Sequence, residues 1–154
     1  MSVKHQKVII PIGRGYTPAQ RRRIAEDLIE VMISRSESGV GVYGNPNDPS
    51  SLKKRRFPGY SDTYINSLDF KIAGKSPGNV NLKLSGDMLV AIDLLEDREN
   101  KLVIGFEAGS EENARADGNI RGAYGGSPKP SKARPFLGVT ADELDAVLSK
   151  YEKG

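Results

Sequence analysis

The chain has 154 residues, with 23 Lys and Arg against 20 Asp and Glu, one His and no Cys. The missing cysteines exclude a disulfide framework, a thiol nucleophile and a cysteine-ligated metal site, and a single His argues against zinc-hydrolase or Ser-His-Asp chemistry. Hydrophobic residues make up 37% and aromatics 6%, so the expectation is one domain over 1–154 with a thin core, and no apolar run approaches the roughly 18 residues of a membrane helix.

Val8 to Ile12 is a short apolar run closed by Pro11 and Gly13, which reads as a short strand or part of an extended N-terminal arm over 1–16. No signal-peptide core follows Met1–His5, so a soluble protein of a reducing or redox-indifferent compartment is expected. Thr17-Pro18-Ala19-Gln20 is a helix start: Thr17 caps, Pro18 suits the first helical position, and Gln20 reaches back as in a capping box. Ile24, Leu28, Val31 and Met32 then recur at helical spacing, with Ile29 and Ile33 widening the stripe, and Gly39 is a stop signal. The reading is a long early helix over about residues 18–36, packed by one face on a sheet. Arg22 with Glu26 and Arg23 with Asp27 make i,i+4 pairs on its flank.

From Val40 to Tyr60 the composition changes. Asn45-Pro46-Asn47-Asp48-Pro49-Ser50-Ser51 breaks either kind of regular ladder, and Lys53-Lys54-Arg55-Arg56 and Phe57-Pro58-Gly59-Tyr60 follow it. Such a long irregular stretch reads as an interaction arm, and residues 38–80 as an insertion or arm. Ser61 to Asn66 suits a short helical turn and Leu68 to Ile72 a half-buried strand. Met88, Leu89 and Ile92 suit a short helix, which Leu94-Leu95 either continues or leaves for a strand. The polar turn Asp97–Asn100 leads to a strand over Lys101–Phe106, and Glu111 to Ala116 is weakly helical. Gly118 to Arg134 is a second long loop. Thr140-Ala141-Asp142-Glu143 is a capping box that opens a final helix with Leu144, Val147, Leu148 and Tyr151 on one stripe. The fold class expected is α+β: a small antiparallel sheet packed by a long N-terminal helix, with a short C-terminal helix and extended loops.

Motifs for chemistry fail on their context. Gly39-Val40-Gly41-Val42-Tyr43-Gly44 matches G-x-G-x-x-G, but a helix precedes it and Asn45-Pro46 follows, the reverse of what a dinucleotide needs. Gly74-Lys75-Ser76 resembles the end of a P-loop, but Asp69 stands where its first glycine belongs. The carboxylate pairs Glu111/Glu112 and Asp142/Glu143 lie at helix starts, where acids satisfy the dipole. His5 has no partner in view, and neither does Ser85. No catalytic residue, cofactor or metal is expected. Residues 1–75 carry 13 basic and 7 acidic side chains and residues 76–154 carry 10 and 13, a split of +6 and −3. Arg21-Arg22-Arg23 and the run Lys53, Lys54, Arg55 and Arg56 could each sit against phosphates or form a solvated surface with local ion pairs, and the run Lys53–Arg56 is the candidate DNA-facing group. With Tyr60 and Tyr64 the second run suits stacking on single strands.

Two segments carry a family resemblance. Leu82-Lys83-Leu84-Ser85-Gly86-Asp87-Met88-Leu89 is similar to the "L-x-x-[ST]-G-x-L" segment of bacteriophage virion-morphogenesis proteins, the tail-completion or head–tail joining class. Ala133-Arg134-Pro135-Phe136-Leu137-Gly138-Val139-Thr140, with Asp142-Glu143, resembles that family's closing signature before a final helix. Between them Val103-Ile104-Gly105, Ala114 and Tyr124-Gly125-Gly126 keep the order. Asn113-Ala114 and Ala123-Tyr124-Gly125 depart from the aromatic-Ala and His-x-Phe-Gly stretches that many members carry. The resemblance covers residues 82–152, with the helix at 18–36 agreeing by position.

It implies a structural component of the virion neck or upper tail, assembled in the host cytoplasm. The protein would form a homo-oligomeric ring, commonly a hexamer, between adjacent connector and tail proteins around the DNA path, with no membrane partner. Arg134, Phe136, Tyr124, Phe57 and Tyr60 are then the candidate ring contacts: Pro135 makes the segment rigid and extended, so that Arg134 can fork across a subunit boundary while Phe136 and Leu137 can also serve as core anchors of the last helix. The alternative reading is a small basic nucleic-acid-binding module.

Overall fold

The computed structural model describes residues 3–57, 86–122 and 133–151. Tyr60, Tyr64, the Leu68–Ile72 segment, Ser85 and Tyr124 lie outside them. The fold is α+β, but among the described residues the strands form two antiparallel sheets rather than one.

The first sheet has the order β1 (Lys7–Pro11), β5 (Lys101–Gly105), β4 (Asp93–Arg98), with β5 central. β1 alternates exposed and buried residues, so Val8 and Ile10 enter the core while Lys7, Ile9 and Pro11 face out. The segment expected as an N-terminal arm therefore lends its residues 7–11 to the sheet. Leu94-Leu95 begins a strand, and Glu99 and Asn100 form the turn between β4 and β5. The sheet packs against α1 (Pro18–Glu37), which follows β1 instead of opening the chain. Its start is the expected capping box: Thr17 Oγ1 accepts from Gln20 N, and Gln20 Oε1 accepts from Thr17 N at 2.9 Å. Ile24, Leu28 and Met32 are fully buried along one stripe. Asp27, expected to pair with Arg23, instead accepts a hydrogen bond from Tyr151 Oη at 2.6 Å.

The second sheet corrects the reading of Val40–Tyr60 as irregular. β2 (Val40–Tyr43) and β3 (Lys53–Arg56) pair antiparallel around a loop with one 3-10 turn, Pro49–Ser51. Val40, Val42 and Tyr43 suit a strand, and the loop supplies its own polar partners: Ser51 Oγ accepts from Asn45 N and donates to Asp48 O, and Asp48 Oδ1 accepts from Ser50 N. Two prolines mark the loop, not the end of regular structure. Val42, Leu52 and Phe57 are buried, so this part of the expected insertion packs on the body.

α2 (Gly86–Val90) places Met88 and Leu89 in the core. α3 (Glu111–Arg121) runs further than Glu111–Ala116, from a Ser110 cap to Gly122 in the left-handed region at φ 65°. α4 (Ala141–Leu148) starts at the Thr140–Glu143 capping box and packs Leu144 and Val147 toward α1. Phe106 and Phe136 meet edge to face in the core, with centroids 6.1 Å apart.

Candidate interaction surface

Each of Lys53, Lys54, Arg55 and Arg56 is exposed, although all four sit in a strand. Side chains alternate across a strand, so Lys53 and Arg55 share one face with Gly41 and Tyr43, and Lys54 and Arg56 share the other with Val40 and Val42. Arg55 lies over the Tyr43 ring, 3.9 Å from its centroid, a cation–π contact. Burial pushes the Tyr43 hydroxyl above its ordinary value, against the pull of Arg55 and, more weakly, Arg134. The structure thus gathers Arg55 and Arg134 about one tyrosine. Lys54 Nζ reaches to 3.9 Å from Glu143 Oε2. Arg21 of the other basic cluster is engaged with Asp97 of β4 at 2.5 Å and with Tyr16 O at 2.8 Å.

Arg134 belongs to an extended segment laid along β2 on the side away from β3. Val42 N donates to Pro135 O at 2.8 Å and Arg134 N to Asn119 O at 2.6 Å. Gly41 makes this approach possible: a Cβ there would stand 2.5 Å from Pro135 O and 2.6 Å from the Phe57 ring. Arg35, from the last turn of α1, fixes the segment from the far side. Its guanidinium donates to Phe136 O (2.7 Å), Gly138 O (2.9 Å) and Glu143 Oε1 (2.6 Å). Arg35 and Glu143 side chains are 6% and 9% exposed. Burial pulls the Arg35 guanidinium below its ordinary value, against the charge and hydrogen bond of Glu143. Glu143 Oε1 also accepts Thr140 N at 2.9 Å, so one carboxylate serves helix cap and ion pair together.

Two of the expected ring contacts are buried by this packing, Phe136 in the core-anchor place that its segment also allowed. Phe136 is 0% exposed and Phe57 5%, both within the chain's own hydrophobic cluster, so neither ring offers a surface to a neighbour. Their backbones approach β2 and Arg35, which draws the rings inward. Arg134 is half-buried, while Tyr124 and Tyr60 fall outside the described residues.

Several polar ties join segments that the linear sequence does not connect. Asn113 Oδ1 accepts from Gln6 N (2.8 Å) while its Nδ2 donates to Lys4 O (3.1 Å), so one side-chain amide pairs with the N-terminal backbone as a strand would. One turn on, buried Asp117 accepts Gln6 Nε2 at 2.9 Å and a two-pronged contact from Arg121 at 2.6 Å. Burial pushes the Asp117 carboxyl up, but the hydrogen bonds of Arg121, Gln6 and the Lys4 backbone outweigh it and hold the group below its ordinary value. His5 has a partner after all, Phe106 O at 2.5 Å from Nε2. Their i,i+4 spacing on a helix was the available sign for Asn113 and Asp117. Nothing in the sequence joined it to residues 4–6.

A cleft of about 220 Å³ opens between Pro49–Lys54 and the start of α4, with Lys53, Lys54 and Asp142 at its rim. Two N–H groups of that helix start, those of Thr140 and Glu143, are occupied by its own capping box. Glu111 and Glu112, like Asp142 and Glu143, stand in first helical turns. Among the described residues no helix is long and apolar enough to cross a membrane, and no group of three His, Asp or Glu converges as metal ligands would. Compared with known proteins, the chain matches no family model, no curated protein and no solved structure.

Proposed function

We propose that the chain is a structural subunit of a tailed-phage virion, a neck or tail-completion protein at the head–tail junction. It assembles into a homo-oligomeric ring, a hexamer by resemblance, that joins connector and tail rings around the DNA path. The observation that carries this reading is the build of the closing segment that bears the resemblance. Pro135, Phe136, Gly138, Thr140 and Glu143 each do a structural task there: a backbone acceptor for β2, a core ring, an Arg35 acceptor, a cap and its reciprocal. Such residues hold a subunit's shape, which suits an assembly part. The rings above and below are its partners, the virion neck its location, and the host cytoplasm its place of assembly.

The test is native mass at ~0.1 and ~0.5 M salt, which spans Debye lengths from about 10 Å downward. A closed ring that survives the higher salt without nucleic acid is the expected result. A monomer at both salts refutes a preformed ring.

A second reading has its own observation. Four consecutive exposed cations on β3, with Arg55 on Tyr43, suit a small nucleic-acid-binding module. That reading requires a species that retains nucleic acid at low salt and sheds it steeply as salt rises.

A further inference from the structure

Among the described residues the two sheets have four outer edges, and three of them carry a plug or a bulge from within the chain. On β1, the Ile9 N–H turned away from β5 donates to Asn47 Oδ1 at 2.8 Å. On β2, Val42 N donates to Pro135 O. On β4 the register is broken between Leu94 and Glu96, and the Asp93 carboxylate accepts Leu94 N at 2.8 Å. Plugs and bulges of this kind keep a sheet from pairing with foreign strands. β3 has neither. Among the described residues nothing bonds to the backbone of its outer edge.

The register says what that edge presents. Because Val42 N turns toward Pro135, Val42 and Lys54 are a pair that exchanges no hydrogen bonds. The alternation continues to Phe57 N, which donates to Gly39 O at 2.9 Å. So Lys53 and Arg55 bond to β2, and the N–H and C=O groups of Lys54 and Arg56 point outward. Donors and acceptors stand there in strand order, with cations on both faces.

We infer that β3 receives an extended acidic segment of a partner protein as an added strand. The main-chain groups of Lys54 and Arg56 supply the pairing, and carboxylates on alternate residues of the incoming chain meet the Lys54 and Arg56 side chains on one face, with Lys53 and Arg55 adding positive charge from the other. Charge complementarity fixes the partner's chemistry. A phosphate backbone would answer the side chains but offers only acceptors, leaving the outward carbonyls against anionic oxygen. The assignment of the partner to a neighbouring virion component rests on the proposed neck function; the edge itself does not.

Lys54 allows a direct test, because its N–H does not bond to β2. Proline there removes the outward donor and leaves the β2–β3 ladder intact, whereas Lys54→Ala removes the charge alone. The probe is a labelled synthetic peptide of alternating Glu and Val, followed by fluorescence anisotropy against the full chain. Lys54→Ala should weaken binding a few-fold and Lys54→Pro by roughly tenfold more, as loss of a main-chain hydrogen bond and closure of the edge require. With the unaltered chain, peptide should slow hydrogen exchange at the Lys54 and Arg56 amides and leave Lys53 and Arg55 unchanged. This readout decides the matter even if the proline variant does not fold.

Absence of peptide binding, equal binding by the two variants, or equal protection of these amides by oligothymidylate would overturn the inference. Protection of the amides in a ring without peptide would give the edge to a second copy and overturn it too. A monomer whose edge responds to peptide sinks the ring and keeps the edge; a ring with an unresponsive edge does the reverse.

Discussion

The Arg35–Glu143 pair makes a quantitative demand. Both side chains are more than nine-tenths buried, and Arg35 also holds two backbone carbonyls. Glu143→Gln keeps an oxygen for Thr140 N but leaves the guanidinium without its counter-charge. Breaking a buried pair from one side costs about 3–5 kcal/mol, and the Phe136 and Gly138 carbonyls temper it, so about 3 kcal/mol is expected. Arg35→Met leaves a buried carboxylate eased by Thr140 N and by Lys54 at 3.9 Å, and it orphans two carbonyls, again about 3 kcal/mol. In the double variant no uncompensated charge remains, and the carbonyls alone should cost about 2–3 kcal/mol. The double variant should therefore be no less stable than either single one, with a coupling of about 3 kcal/mol. Urea unfolding of all four proteins, with m-values held equal, measures this cycle. Additive singles, or a Glu143→Gln cost below about 1 kcal/mol, would show that the pair is not the buried contact argued from its geometry.

Asp117→Asn tests the N-terminal tie: loss of charged hydrogen bonds should cost roughly 2 kcal/mol at neutral pH. The Asp117 carboxyl is held below its unfolded value of about 3.9, so its contribution is whole above that pH and fades as pH falls through the folded value. The variant's deficit should shrink in acid, and a constant deficit from neutral pH down to full protonation would refute the assignment. Gly41→Ala should lower stability by about 2–3 kcal/mol, through collision with Pro135 O and the Phe57 ring; thermal unfolding shows it. Asn47→Ala should cost about 1 kcal/mol and speed hydrogen exchange at the Ile9 amide, since that N–H would lose its acceptor on the outer edge of β1.

Elements announced by neighbouring residues were legible. Thr17, Pro18 and Gln20 defined the start of α1, and Thr140 with Glu143 that of α4, because caps act within one turn. β3 was not legible as a strand: Lys53–Arg56 has no apolar alternation, and pairing with β2 alone makes it one. The site suffered from the same distance effect. Phe57 and Phe136 are aromatic beside proline, equally suited to a neighbour's pocket or to their own core, and Gly41 decides between these by admitting the Pro135 carbonyl. Arg35 lies among polar residues near a helix end and reads as surface. Its partners are more than a hundred positions away.

Those distances explain how a chain of few apolar residues keeps its irregular parts in place. Residues 4–6 are tied to α3 by Asn113 and Asp117, the closing segment to α1 by Arg35, and the β2–β3 loop to β1 by Asn47. Each tie joins segments that a thin core could not hold by burial alone, and each uses a directional group that fits one arrangement. The same economy bears on β3. A fold that caps the edges of β1 and β2 with its own oxygens, and breaks the line of β4, has means to close an edge. On β3 it instead sets four like charges in a row, two on each face, whose mutual repulsion is relieved when an acidic strand arrives. Lysines on an edge also deter pairing between identical edges. The two effects agree: copies of β3 exclude each other, and an oppositely charged strand is admitted.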